Sequence, residues 1–238
     1  MPLLEKFSLF FDKGFFGNFL IPGLKVTLQI TLGAAVIGII IGVLIALVRV
    51  THDKTAGIMR PGLGRVLLIF LNQICKLCIT VFRGIPVVVQ ILIWFFIILI
   101  SIKSKIAIAV IGFGINSAVY VAEIIRAGIM SVDAGQMEAG RSLGLNYIQT
   151  MRYIILPQAF KNVLPTLCNE FIVLLKETAI VGYIAVPDLT MQANRLVGLT
   201  YDAIVPLGVA AMMYLTMVMI LEKLFNLVER RLRASDSR

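Results

Sequence analysis

The sequence predicts an all-α integral membrane protein of five transmembrane helices, with the N-terminus outside and the C-terminus in the cytoplasm. Three observations predict it. First, 59% of the 238 residues are hydrophobic and only 15% charged, too few polar side chains to clothe a water-soluble domain of this length. Second, residues 26–48, 84–102 and 203–221 contain no charge, and residues 106–122 contain none before Glu123; about 20 mostly apolar residues cross the hydrocarbon as a helix. Third, Lys and Arg fall unevenly between the loops, as the positive-inside rule demands. The same composition excludes a disordered chain, and the basic excess of 22 Lys+Arg over 13 Asp+Glu reads as topology signal and lipid contact, with no nucleic-acid partner.

The first span covers residues 24–48. Nothing like a cleavable leader precedes it, since Met1-Pro2-Leu3-Leu4-Glu5-Lys6 has no basic segment leading into a short apolar stretch. The second covers residues 66–100 and contains Arg83-Gly84-Ile85-Pro86. As one interrupted helix it is about 52 Å long at 1.5 Å per residue, enough to cross with tilt. As two helices, each piece is short and an arginine sits in the turn. One interrupted helix puts Arg49, Lys54, Arg60, Arg65, Arg126, Arg141, Arg152, Lys161, Lys223, Arg230, Arg231, Arg233 and Arg238 inside, against Lys6, Lys13, Lys25, Lys103, Lys105 and Arg195 outside. A sixth span would divide these clusters, so five is the expected count. Gly84 and Pro86 should unwind the helix where they stand, in a place where protein or water satisfies the backbone. The remaining spans run over residues 105–132, 163–184 and 202–227.

Between the third and fourth spans lies a polar insertion, residues 133–162, expected in the cytoplasm. A short helix over residues 137–143 should stop at Gly144, which tolerates the left-handed conformation of a helix end. A second should begin near Asn146 and end near Leu156, ahead of Pro157. Two short helices with Ala139, Gly140 and Gly144 for close approach describe either a docking knob or an ordinary amphipathic loop.

Charged residues at membrane depth cost about 2.5–3.5 kcal/mol each on insertion scales, which singles out Lys76, Arg83, Glu123, Lys176 and Glu177. Asn116, Tyr120 and Glu123 share one face of the third span, and Asn169 and Lys176 one face of the fourth. One reading is a polar pocket for a zwitterion, with Glu123 for its ammonium or for a cationic side chain, Arg83 and the unwound backbone for its carboxylate, and Gln90, Asn116 and Asn169 as neutral partners. The other is a set of structural ion pairs or snorkelling side chains. Cys75, Cys78, Cys168 and His52 form neither a disulfide framework nor a metal site. Trp94-Phe95-Phe96 reads as an interfacial or packing cluster, and residues 229–233 as a lipid-surface anchor.

The order Glu138-Ala139, Gly144, then Ile154-Ile155-Leu156-Pro157 resembles the EAA loop of the membrane subunits of binding-protein-dependent ABC importers. Phe82 to Gln90, Asn116 to Ile129 and Leu175 to Ala179 are similar to the polar amino-acid branch of that family, the histidine, glutamine and arginine uptake type. Gly140 stands where the family usually has a second alanine. The resemblance, over roughly residues 20–228, implies a single transmembrane domain of the type I importer fold that translocates polar or charged amino acids by alternating access. It implies Glu138, Ala139, Gly140, Gly144, Leu156 and Pro157 as residues that dock on an ATPase or fix the loop's return to the membrane. It also implies a second identical or sibling permease, ATPase subunits and an extracytoplasmic amino-acid-binding protein at loops 101–104 and 187–200. No GxxxxGK[ST] phosphate loop occurs in the chain, so ATP and Mg are expected on the partner ATPase, with no cofactor here. The alternative is an ion-gradient-driven secondary amino-acid transporter, although such carriers usually have internal repeats and more spans.

Overall fold

The computed structural model describes residues 3–233; Met1 and Pro2 of the expected uncleaved start and Arg238 of the expected cytoplasmic charges lie outside them. Every regular element among the described residues is helical. Helix α1 (Leu3–Asp12) is followed by a π-helical turn, Phe16–Leu20, that runs into α2 (Ile21–Thr55). Helix α3 (Leu63–Gly84) stops at the expected break, and α4 (Val87–Ile93) resumes after it, widening into a π turn over Trp94–Ile98. Helix α5 (Lys105–Met130) leads to the insertion, where α6 (Ala134–Ser142) precedes α7 (Tyr147–Thr150). A π turn, Met151–Ile155, joins α7 to α8 (Leu156–Glu177), and a 3-10 stretch, Thr178–Ile184, follows. Helices α9 (Leu189–Thr200) and α10 (Ile204–Arg233) complete the chain. The stretch Phe16–Thr55, α3, α5 and α10 are long and apolar enough to cross a membrane. Helix α8, in the place of the fourth expected span, has the length but carries Lys161, Glu170, Lys176 and Glu177.

The structure corrects the sequence reading at three points. Helix α6 begins at Ala134 rather than near residue 137, because the Asp133 carboxylate accepts from the Gly135 amide and caps it. The second short helix does not end at Leu156, since Pro157 lies inside a helix that continues to Glu177. A π turn carries one extra residue, and the Leu156 N–H reaches back five residues to Met151 O. A carbonyl there already lacks its usual partner, so the donor missing from Pro157 costs little. Residues 187–200, expected as loop, contain α9. Its signal was present: Asp188 accepts from Met191 N and Thr190 N, and Leu189, Gln192, Ala193 and Leu196 make one buried stripe.

The contacts divide the chain into two compact units. The first comprises Met1–Ile37, Ile85–Gly114 and Phe171–Glu222. One core joins Ile30, Ala34, Ile91, Phe113, Leu174 and Val181, and another joins Phe10, Leu20, Leu189, Leu196 and Val205. Lipid tails are as apolar as leucine, so close approach of small residues has to hold membrane helices together. Accordingly a Cβ on Gly114 would meet Ile37 at 2.7 Å, and one on Gly23 would meet the Asp188 carbonyl at 2.8 Å. The Thr27 hydroxyl, fully buried, accepts from Leu189 N at 3.1 Å and ties α2 to α9. Lys6 reaches Asp202 at 3.1 Å.

The second unit comprises Gly38–Gly84, Ile115–Glu170 and Lys223–Arg238. Its core is Val50, Ile129, Val132, Ile155 and Ala159. Gly42 lets α2 close on α5, since a Cβ there would meet Val121 at 2.6 Å, and a Cβ on Gly128 would run into Val163 of α8. Leu44 and Leu47 of α2 and Leu67 and Phe70 of α3 are more than half exposed, as side chains facing lipid or another membrane subunit must be.

Candidate functional site

Within the second unit a cavity of about 470 Å³ opens beside α5. Tyr120, Glu123 with Ile124, Ala127 with Gly128, and Ser131 return every three or four residues, and so form one wall. Arg83, in the last turn of α3, supplies a second wall, and Asn162 and Thr166, one turn apart on α8, supply the third. The close α5–α8 approach that Gly128 permits brings that third wall into place.

The cavity's electrostatics are set by a chain of charges reaching from α2 to α5. Glu123 Oε1 lies 3.1 Å from an Arg49 nitrogen, and Glu123 Oε2 lies 3.4 Å from Arg126. Arg126 also contacts Asp53 at 3.2 Å, and Asp53 meets His52 Nδ1 at 3.2 Å. Arg49 is 9% exposed. Its contact with Glu123 is a charge contact rather than an aligned hydrogen bond, because Arg49 Nε and Glu123 Oε1 are both buried without hydrogen-bond partners. Arg83 takes no part in an ion pair among the described residues, and its guanidinium carbon lies 5.6 Å from the Tyr120 ring centroid, a cation–π contact. Asn162 Nδ2 donates to Ser131 Oγ at 3.1 Å, and Ser131 Oγ donates in turn to the Gly128 carbonyl at 2.9 Å.

Of the residues expected to form a pocket, Arg83 and Glu123 line this cavity. Asn116 shares α5 with Glu123 but is buried at 3% exposure and does not line it; its neighbour Ser117 donates to Glu170 at 3.0 Å. Asn169 is exposed on α8 and also stands apart from the cavity. Gln90, Lys176 and Glu177 belong to the first unit. Gln90 is buried there, and its Nε2 donates to the Ile85 carbonyl at 2.8 Å, which closes the break at Pro86. Lys176 is exposed and Glu177 half-buried. Sequence reasoning missed Ser131, Asn162 and Thr166 as cavity residues. The i, i+4 spacing of Asn162 and Thr166 was available, but a helix end placed at Pro157 put Asn162 in a loop. It counted Arg49 and Arg126 among the cytoplasmic charges that set the topology, whereas both contact Glu123.

The insertion is a second candidate site. The Asn146 side chain accepts from Gln149 N while the Gln149 side chain accepts from Asn146 N, each at 2.9 Å, a capping box that starts α7. Gly144 ends the preceding segment at φ +85°. Gly140 is buried against Thr150 and Ile154, so it joins the two short helices and is not part of an exposed docking face. Glu138 and Ala139 are exposed, as are Leu156 and Pro157, and Leu143 and Ile148 present 80% and 73% of their surfaces.

Residues 55–234 match the family described as binding-protein-dependent transport system inner membrane component. The chain is 37% identical over 221 residues to the arginine transport system permease protein of Bacillus subtilis (strain 168), covering 92% of this chain and 94% of that protein. It is 32% identical over 218 residues to the glutamine transport system permease protein of Escherichia coli (strain K12), covering 90% and 93%. A crystal structure of an amino acid ABC transporter with histidines contains a chain that superimposes with a TM-score of 0.80 at 38% identity, over 97% of this chain and 99% of that one. An inward-facing methionine ABC transporter superimposes with a TM-score of 0.73 at 20% identity, over 90% and 95%, and shares the fold.

Proposed function

We infer the function from one premise, that this chain belongs to the binding-protein-dependent transport system inner membrane component family: it is a membrane-spanning permease subunit of an amino-acid ABC importer in the inner membrane. The observation that carries this reading is the likeness to amino-acid permeases along more than nine tenths of the chain. It favours the importer over the gradient-driven secondary transporter.

The finer reading is ours. The substrates are polar or charged amino acids, carried by alternating access between two states of a bistable membrane domain. Five spans place the insertion in the cytoplasm, where Glu138, Ala139, Leu156 and Pro157 meet an ATPase that binds ATP and Mg. Gly140 and Gly144 shape the loop from within. A second permease, identical or sibling, completes the path, and an extracytoplasmic binding protein delivers substrate. The exposed Leu143 and Ile148 support the docking part of the reading, because a loop with no partner would leave such side chains in water.

Reconstitution tests it. Proteoliposomes holding the permease, its ATPase and its binding protein should take up labelled amino acid only when ATP is supplied to the ATPase side. Uptake driven by an ion gradient with the ATPase left out would overturn the reading.

A further inference from the structure

Glu123 is the cavity's acidic side chain, and both of its oxygens are already engaged, one by Arg49 and the other by Arg126. Asp53 engages the other terminal nitrogen of Arg126. Two arginines and two carboxylates therefore cancel. The charge left over at the cavity is Arg83, which has no ion-pair partner among the described residues and rests over Tyr120. The other polar side chains there, Ser131, Asn162 and Thr166, are neutral. Asn162 uses its Nδ2 on Ser131, which leaves Oδ1 to accept.

We infer that this cavity takes an amino acid whose side chain is uncharged and hydrogen-bonding, an amide or hydroxyl, with its carboxylate on Arg83, and that Glu123 is a structural counter-ion rather than a receptor for a cationic side chain. The inference rests on the permease reading and narrows it. A cationic side chain would enter a site whose net charge is already positive, and could reach Glu123 only by displacing one of two arginines. Removing a partner from a partly buried charge pair strands the other, and like charges brought together discriminate strongly against a ligand. An anionic side chain would bring a second carboxylate toward Glu123 with only Arg83 to share. A zwitterion with a dipolar side chain meets neither obstacle: its carboxylate pairs with a planar guanidinium suited to two parallel hydrogen bonds, and its ammonium finds the Asn162 oxygen.

Since the binding protein has its own selectivity, the test omits it. Binding of labelled glutamine, arginine and glutamate is measured on the purified permease–ATPase complex, alongside ATP-fuelled uptake by the full assembly. Glutamine should bind at least tenfold more tightly than arginine or glutamate, about 1.4 kcal/mol. Arg83→Gln should weaken glutamine tenfold or more. Arg126→Gln, which removes one counter-ion of Glu123, should narrow the glutamine-to-arginine ratio at least fivefold. Preference for arginine or glutamate, an unchanged ratio in Arg126→Gln, or undiminished binding in Arg83→Gln overturns the inference. If the complex binds none of the three while uptake continues, the cavity assignment falls and the importer reading stands. If ATP-fuelled uptake is absent, the importer reading falls as well.

Discussion

Arg49 lies in a helix that crosses the membrane, is almost fully buried, and contacts a carboxylate on a neighbouring helix. A charge in that position is tolerated because Glu123 is held there by Arg126 as well, so that neither sign is left alone. Replacing Arg49 with methionine keeps most of the volume and removes the charge. It should destabilise the protein by about 3 kcal/mol, the lower part of the range for a buried pair that loses one member, because Arg126 still serves Glu123. A thermal melt of the permease in lipid nanodiscs measures this, and an unchanged midpoint would show that the contact carries no stability. The distinction between ligand and ion pair could not be read from residue types. Glu123 was visible as an intramembrane acid, but its partners lie 74 residues before it and three after it. Only the first of these distances requires a fold.

At the scale of elements, the two short helices of the insertion show how a departure from a family pattern is accommodated. A Cβ on Gly140 would lie 2.5 Å from Thr150 Cγ2, so the threonine methyl fills the space that an alanine at 140 would need. Gly140→Ala alone should therefore loosen α6 from α7 and weaken ATPase association about tenfold despite alanine's better helix propensity. Thr150→Ser removes that methyl and keeps the hydroxyl that donates to the Asn146 carbonyl at 3.0 Å. The double variant should recover most of the loss, a coupling that a double-mutant cycle on ATPase pull-down affinity would measure. Additive effects would mean that the two side chains do not compete for space. The start of α7 at Asn146 and the stop at Gly144 were legible because caps and left-handed turns are local. The continuation through Pro157 was not, because it depends on a π turn whose extra residue no composition rule announces.

For the whole molecule, the proposed orientation is the statement on which the ATPase contact depends. With Cys75, Cys78 and Cys168 replaced by alanine, a single cysteine at Glu138 should react with a membrane-impermeant maleimide only in inside-out vesicles. One at Ser104, in the loop after the second span, should react only in right-side-out vesicles. Labelling of Glu138→Cys from outside would invert the topology and remove the ATPase from that loop. The helical membrane class, the break at Gly84–Pro86 and the family were determined by the sequence alone, since each rests on composition, on one backbone donor or on the order of short motifs. The tertiary structure decided which polar residues share a cavity, that Glu123 is neutralised, and that Asn162 and Thr166 face α5. Those outcomes depend on the azimuth of each helix about its own axis and on close contacts at residues such as Gly128. Neighbours distant in the chain set these, because lipid favours no one apolar face of a helix over another.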